Sequence, residues 1–391
     1  MIKKLKEFLG LKKNMTVLMA MVILVGMGEK MAERFLPIYL LALGGGVLSV
    51  GLLNGLDNLL SALYSFPGGY VADRIGYKKA LFLFNVIALA GFLIVILFPF
   101  WQAVIIGSFF FLSWTAISLP ATIKMISSVL PSNKHTMGVT MHSLVRRVPM
   151  ALGPIVGSLF ITFFGVKSGV RLSFAFAFAL GLISLVFQQF FIEADKKRVV
   201  AEKNPLSLIS KMPRQMKKLL LSDILIRFCE QIPYAFVVVW CIQNIGVTPV
   251  QFGILTAIEM VTAVLIYIPV AYLADKGKKK PLVAITFFNF TIFPIFLLIS
   301  KNYFMLIIAF IIRGLKEFGE PTRKTLIMQL SPTENKAGLF GLHYLIRDVI
   351  VSLAAFGGAF LWNVSPQVNF ITASAFGIIG TIYFLFSGLD A

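Results

Sequence analysis

Residues 69–80 read GYVADRIGYKKA and lie between two long apolar runs. The glycines permit a tight turn and a close approach of neighbouring helices. The cations Arg74, Lys78 and Lys79 suit the anionic cytoplasmic surface of a membrane, and Asp73 can face the positive N-terminal end of a neighbouring helix. This stretch therefore predicts a short cytoplasmic loop that joins two membrane helices.

The composition of the whole chain is that of a membrane protein. Of its 391 residues, 58% are hydrophobic and only 14% are charged, whereas soluble domains carry about 25% charged residues. Apolar runs of roughly 20 residues, the length that crosses a bilayer as a helix, recur along the chain. We predict an all-α integral membrane protein with twelve transmembrane helices in two pseudo-symmetric six-helix bundles. The predicted spans are 15–42, 47–72, 79–98, 102–124, 138–164, 168–192, 218–245, 250–274, 281–299, 303–325, 337–363 and 366–388.

The net charge of +19 is explained by its distribution. Most Lys and Arg residues fall in the connecting segments on the same side as the N-terminus, which is the positive-inside pattern. It places both termini in the cytoplasm and argues against binding of nucleic acid. The basic start MIKKLKEFLGLKKN has no small-residue cleavage site after it, so it leads into the first membrane helix and is not read as a signal peptide. We expect a multi-pass protein of the prokaryotic inner membrane.

The two halves of the chain repeat one another. The stretch HSLVRR that begins at His142 corresponds to HYLIRD, which begins at His343, and Ala72-Asp73-Arg74 corresponds to Ala274-Asp275-Lys276. Further pairs at about the same offset are Pro120 with Pro321, Arg146 with Arg347 and Gly157 with Gly358. Many transporters are built from such repeats, with the site between the halves near mid-membrane. We predict one bundle at 1–192, a cytoplasmic linker at 193–217 and a second bundle at 218–391.

The stretch at 69–80 resembles the signature loop of the major facilitator superfamily of secondary transporters. Its pattern is Gly69-x-x-x-Asp73-Arg74-x-Gly76-x-Lys78-Lys79, and a weaker copy contains Asp275. The resemblance implies a cytoplasmic gate in which Asp73 helps to hold the cytoplasmic side closed while the cavity opens outward. The sequence Gly153-Pro154-x-x-Gly157 resembles the helix-bend motif of proton-driven exporters. The gate residues are Gly69, Asp73, Arg74, Gly76, Lys78 and Asp275, and the bend residues are Gly153 and Pro154.

Charges inside the predicted spans are the candidates for function. Each one facing lipid at the bilayer centre costs about 3 kcal/mol, and a folded protein has a total stability of roughly 5–15 kcal/mol. Nearly all must therefore be paired or face a wet cavity. On a helical projection they form narrow stripes on spans one, seven and ten, and the resemblance implies that these spans line the solute path. The candidates for substrate binding or coupling are Glu29, Glu33, Arg34, Asp57, Arg146, Arg147, Arg227, Glu230, Glu259, Arg313, Glu317, Glu320 and Arg347.

Several of these charges have partners within one helix and are open to a purely structural reading. The helical pairs are Arg313 with Glu317, Lys316 with Glu320, Asp223 with Arg227, and Glu29 and Glu33 with Lys30 and Arg34. Asp57 and Glu259 have no such partner, so they must find one on another helix or be protonated. Arg146 and Arg347 either attract anionic groups or neutralise acids on spans one, seven and ten. His142 and His343 lie near the cytoplasmic ends of spans five and eleven, where interfacial packing is favoured and a proton relay is the alternative.

Glu29 and Glu33 are the first candidates for proton coupling. Glu29 lies about 14 residues, or roughly 21 Å, along the first span and so near mid-membrane. Two carboxylates one helical turn apart in a dry site disfavour ionising together, although Lys30 and Arg34 oppose this. The next candidates are Asp57, Glu230 and Glu259.

The sequence contains no phosphate-cradling loop, no Cys and His metal spacing and no nucleophile elbow. We therefore predict no enzyme activity, no metal and no cofactor, with the proton as coupling ion. The favoured function is proton-coupled export of a small organic, amphipathic solute. A carrier for an anionic or zwitterionic metabolite is one alternative, and a non-transporting sensor or assembly factor of the same fold is another. The expected partners are the solute and the lipid bilayer, and the expected state is a monomer.

Overall fold

The computed structural model describes residues 13–112, 114, 118, 122, 135–192, 209, 212–276, 279–331 and 336–387. Within these ranges the secondary structure is helical, with no strand. The helices are α1 (Lys13–Glu33), α2 (Leu36–Ala42), α3 (Gly46–Ile75), α4 (Tyr77–Leu97), α5 (Trp101–Phe111), α6 (His135–Phe191), α7 (Arg214–Tyr234), α8 (Phe236–Val239), the π-helix Trp240–Asn244, α9 (Pro249–Lys276), α10 (Lys279–Ile299), α11 (Tyr303–Leu315), α12 (Glu320–Leu330), α13 (Lys336–Val364) and α14 (Pro366–Phe386).

The chain is a multi-pass membrane protein. Within the described ranges, seven helices are long and apolar enough to cross a bilayer, or eight if α7 and the bent continuation Phe236–Asn244 form one span. The helices α5 and α11 are shorter and also apolar. The long α6 covers two predicted spans, and Gly165, with φ of 73°, interrupts it between them. The predicted all-helical membrane fold is confirmed, and the number of twelve spans stays a prediction.

The turn predicted within 69–80 is present, and it consists of Gly76 alone. Helix α3 ends at Ile75 and α4 begins at Tyr77, and Gly76 between them has φ of 86°, a conformation that side chains disfavour. The ammonium group of Lys78 donates a hydrogen bond to the carbonyl oxygen of Gln189 at 2.8 Å. Lys78 therefore ties the start of α4 to the end of α6.

Four other gate residues lie near the ends of α3 and α9. Arg74 is exposed at the end of α3. The side chains of Asp73 and Asp275 and the surroundings of Gly69 lie outside the part of the chain that the structure describes. The latch role of Asp73 therefore stays a prediction.

Glycines at equivalent positions of the two halves make equivalent helix contacts. A Cβ atom at Gly157 in α6 would overlap the backbone of Met31 in α1, and one at Gly358 in α13 would overlap the backbone of Ile232 in α7. The offset that relates the two glycines also relates Met31 to Ile232. Because only glycine allows such an approach, the sequence repeat is also a structural repeat.

The predicted bend motif lies at the same α1–α6 contact. A Cβ atom at Gly153 would lie 2.8 Å from Cβ of Lys30. Pro154 is inside α6, where it has no N–H to donate.

The chain divides into two compact units. The first comprises Met1–Gly45 with Leu60–Ala201, and the second comprises Gly46–Leu59 with Glu202–Ala391. The core of the first unit includes the Phe92, Phe111 and Phe174 rings, whose centroids are 5.3–5.7 Å apart. The second unit has its core among α7, α10, α12, α13 and α14. The predicted limits of the bundles and of the linker stay predictions.

Candidate functional site

A small pocket in the second unit combines aromatic and charged side chains. It is lined by Glu230, Val237, Asn289, Phe290, Phe293, Arg313 and Lys316. Helix α7 contains Pro233, and it meets its continuation Phe236–Asn244 at an angle of 40°. Proline removes a backbone donor and disturbs the helix around it, which explains the bend. Glu230 lies about one helical turn before this bend. The sequence of α7 therefore positions an acid beside a break in the helix.

The charges of the pocket pair across helices. The ammonium nitrogen Nζ of Lys316 lies 2.7 Å from Oε1 of Glu230 and 3.4 Å from Oε1 of Glu259. The same oxygen of Glu259 lies 3.3 Å from Nε of Arg313, and Arg227 also pairs with Glu230. The expectation that Glu259 finds a partner on another helix is confirmed. Glu259 and Arg313 are buried, whereas Glu230, Lys316 and Arg227 are partly buried, so the pairs are largely shielded from water.

The helix that carries Arg313 ends beside the pocket. The prediction treated 303–325 as one helix, and this was wrong: α11 ends at Leu315, residues 316–319 form a turn, and α12 begins at Glu320. The backbone N–H of Gly319 donates to the hydroxyl of Thr286 in α10. Lys316 still has helical backbone angles, with φ of −57° and ψ of −24°, and the turn after it carries Glu320 out of the helical register that a projection assumes.

Aromatic rings lie beside each cation of the pocket. The guanidinium carbon of Arg313 lies 5.2–5.6 Å from the ring centroids of Tyr234, Phe293 and Phe310. Phe290 has both Arg227, at 5.5 Å, and Lys316, at 5.7 Å, near its ring centroid. Such contacts stabilise a cation by about 0.5–2 kcal/mol each. The pocket is thus suited to solutes that carry both a ring and a charge.

A second cluster of charges is buried between α7, α12 and α13. Oδ2 of Asp223 pairs with Arg323 and lies 3.2 Å from Nε2 of His343 and 3.5 Å from Nη1 of Arg347. Arg323 also holds both carboxylate oxygens of Glu320, at 2.7 and 3.0 Å. The exposed fractions of Asp223, Arg323 and His343 are 1%, 1% and 0%. A group of charges this deeply buried is stable only while all its members remain paired.

One contact joins the two clusters. Nη2 of Arg227 lies 3.8 Å from Oε1 of Glu320. Charges of alternating sign then run without a gap from the pocket to α13. We call this series the ion-pair chain, and its members are Lys316, Glu230, Arg227, Glu320, Arg323, Asp223 and His343.

The buried charges of the first unit lie on α1 and α6. Nζ of Lys30 lies 3.0 Å from Oε1 of Glu29 and also pairs with Glu33, all on α1. Glu29 is buried with 5% exposed, and Arg146 of α6 is close enough to interact with its charge. Arg146 and Arg347 therefore both lie beside acids, in agreement with the second of the two roles considered for them.

Four further candidates are half-buried and interact with other residues, but they are not among those that line the pocket: Arg34, Asp57, Arg147 and Glu317. Sequence reasoning did not select Asp223, His343 or Arg323 as functional residues. Arg323 follows Glu320 by three positions, the spacing of a helical ion pair, and this signal was available. The pairing of Asp223 with His343 spans 120 positions and has no local signal.

The described helices, the two related halves and the paired charges inside apolar helices define the construction of a secondary transporter. The family model of the major facilitator superfamily (MFS) matches residues 18–229 and, a second time, 219–390. The chain belongs to this superfamily, as the loop at 69–80 predicted.

Individual relatives are distant. The chain is 22% identical over 390 residues to the MFS-type transporter MJ1317 of Methanocaldococcus jannaschii, across 96% of this chain and 95% of that protein. It is 28% identical over 142 residues to the quinolone resistance protein NorA of Staphylococcus aureus, which is 36% of this chain and 37% of NorA. A crystal structure of the peptide transporter POT with sulfate superposes with a TM-score of 0.79 at 12% identity, covering 95% of this chain and 93% of that one. At that identity the likeness shows the fold alone.

Proposed function

We propose that this protein is a proton-coupled transporter that exports small amphipathic organic solutes across the inner membrane of a prokaryote, with both termini in the cytoplasm. The observation that carries the proposal is the pocket in which Phe290 and Phe293 lie beside Glu230, Lys316 and Arg313. Rings suit the apolar part of an amphipathic solute, and the buried charges suit its polar part. The partial likeness to NorA supports export as the direction.

Coupling to protons is supported by the state of the charges. The ammonium group of Lys316 lies within 3.4 Å of both the pocket acid Glu230 and the adjacent acid Glu259. A charged solute can enter only by competing for one of these partners. The partner that it displaces is then buried without compensation, which is strongly unfavourable. Binding of a proton to a displaced acid removes that penalty, so solute and proton binding become linked.

An anionic or zwitterionic metabolite is the second candidate solute. It is favoured by the excess of cations in the lining, where Arg313 and Lys316 accompany the single acid Glu230. Arg313 is held by three rings and by Glu259. Lys316 is therefore the cation better able to turn toward a carboxylate.

The proposal is tested with purified protein in proteoliposomes that contain a pH gradient. The probes are tetraphenylphosphonium, a lipophilic cation, and benzenesulfonate, an aromatic anion that stays ionised; protein-free liposomes give the background flux. We expect the wild type to move the cation against the proton gradient. Transport of benzenesulfonate alone would favour the metabolite carrier, and the absence of flux for either probe, and for a wider panel of amines and carboxylates, would contradict transport and favour a sensor.

A matched pair of lysine variants assigns the flux to the pocket. Lys316→Met removes the cation that bridges Glu230 and Glu259 and is expected to reduce transport about tenfold or more, since loss of one buried partner is worth several kcal/mol. Lys301→Met removes an exposed lysine and should transport normally. Equal transport by both variants would show that the solute does not use this pocket.

A further inference from the structure

A histidine outside the pocket has an unused ring nitrogen in the protein interior. Nε2 of His343 lies 3.2 Å from Oδ2 of Asp223. Nδ1 is buried and has no hydrogen-bond partner among the residues that the structure describes. If Nε2 carries the hydrogen and donates it to Asp223, Nδ1 presents a lone pair. Buried polar atoms are nearly always hydrogen-bonded, so this lone pair requires an explanation beyond packing.

The neighbours of His343 make its protonation consequential. The groups around it are Asp223 and Arg227 of α7, Glu320 and Arg323 of α12, and Tyr344 and Arg347 of its own helix. Two guanidinium groups already share Asp223 with the imidazole. A positive charge on His343 attracts Asp223 and repels both arginines, so proton and arginine compete for the same carboxylate oxygen.

We propose that His343 and Asp223 form the proton-binding site that drives transport, and that the ion-pair chain carries its effect to the pocket. This inference rests on the proposed proton-coupled function. The step is the addition of one proton from water to Nδ1, which raises the charge of the cluster by one and breaks no bond within the protein. It assigns to His343 a role that its expected packing at the membrane surface would not provide.

The ion-pair chain determines how protonation of His343 changes the pocket. When the imidazolium takes Asp223, Arg323 turns fully to Glu320, to which it already has two hydrogen bonds. Glu320 then interacts less with Arg227, and Arg227 binds Glu230 more strongly. Lys316 is released from Glu230 toward the pocket and keeps only its longer contact with Glu259, at 3.4 Å. A released lysine repels a cationic solute and attracts an anionic one. The same device thus produces exchange of a proton for a cation, or co-transport of a proton with an anion.

The test uses His343→Gln, because glutamine can still donate a hydrogen bond to Asp223 but does not titrate. In proteoliposomes with a pH difference of about one unit, a wild-type protein that moves one proton per solute accumulates tetraphenylphosphonium or benzenesulfonate about tenfold. We expect His343→Gln to reach only equal concentrations on both sides. Counterflow exchange should persist, and the dependence of its rate on pH between about 5 and 8 should flatten.

Two variants serve as controls. His142→Gln, at the position that the repeat pairs with His343, should accumulate solute as the wild type does. Glu320→Gln interrupts the chain with His343 intact and should lose accumulation. If His343→Gln does not fold, as judged by size-exclusion chromatography, His343→Asn is the substitute, and tenfold accumulation by a folded His343→Asn variant would overturn the proposal.

The outcomes separate this inference from the proposed function. Tenfold accumulation and an unchanged pH profile in a folded His343→Gln variant would overturn the role of His343 and leave proton-coupled transport intact. A wild type that exchanges solute in counterflow but does not respond to the pH gradient would overturn proton coupling itself, and the role of His343 with it.

Discussion

Two acids at equivalent positions of the repeat, Glu29 in α1 and Glu230 in α7, are neutralised in different ways. Glu29 pairs with Lys30, the next residue of the same helix. Glu230 pairs with Lys316 in the turn after α11 and with Arg227, which continues to Glu320 of α12. A pair within one helix is kept when neighbouring helices shift, whereas a pair between helices is not. On this ground we propose that conformational coupling belongs to the second half.

This comparison reorders the candidates for coupling. The sequence gives first place to Glu29 and Glu33 because of their depth and spacing along the first span. Lys30 contacts both acids in the folded chain, so each acid has a cation on its own helix. We propose the ion-pair chain of the second half as the coupling element.

The largest expected difference is in stability. Asp223→Ala leaves Arg323, His343 and Arg347 without their shared acid and should lower the free energy of unfolding by about 3–5 kcal/mol. Glu33→Ala in the first half should have a clearly smaller effect, because Lys30 still pairs with Glu29. Thermal unfolding of both variants in detergent measures the difference. Equal losses of stability would mean that the two halves depend equally on their charges.

An intermediate effect is expected at the glycines that the halves share. Gly157→Ala and Gly358→Ala each force a Cβ atom onto the backbone of a neighbouring helix, and such overpacking destabilises by about 1–3 kcal/mol. Gly357→Ala is the control, since no atom lies within 4 Å of its Cβ position. Unfolding midpoints should fall similarly for the first two variants and not for the third. A large difference between Gly157→Ala and Gly358→Ala would contradict the structural equivalence of the halves.

The smallest effect is expected in solute affinity. Phe290→Leu removes the ring beside Lys316 and Arg227, a contact worth about 0.5–2 kcal/mol, so affinity for the transported probe should fall roughly 2- to 30-fold. Phe160→Leu removes a ring of the first half that packs on Phe176 and should leave affinity unchanged. Isothermal titration of both variants decides the matter, and unchanged affinity in Phe290→Leu would remove the ring from the binding site.

The fold was readable from the sequence because its signals are local or periodic. Apolar runs of membrane length predicted the helices, and Gly76 marked the turn that the structure confirms. The repeat predicted that Gly157 and Gly358 lie in equivalent surroundings, and both pack on the first helix of their half. Each of these features depends on a few consecutive residues or on one constant offset.

The site was readable only in part. The candidate list contained Glu230, Glu259 and Arg313, all of which meet at the pocket. Their partners were not predictable, because they lie on helices that are distant in sequence. The Asp223–His343 contact joins helices that are distant in sequence, and such contacts depend on tertiary packing. The repeat offset does relate Glu29 to Glu230, and this signal was present in the sequence.

The most direct test of the central claim compares the matched variants Glu29→Gln and Glu230→Gln in proteoliposomes. Each substitution removes one charge at equivalent positions of the two halves. With a pH difference of about one unit, Glu29→Gln should accumulate solute about tenfold for one proton per solute, as the wild type does. Glu230→Gln should only equilibrate it. Full accumulation by Glu230→Gln together with its loss in Glu29→Gln would contradict the account and place coupling in the first half.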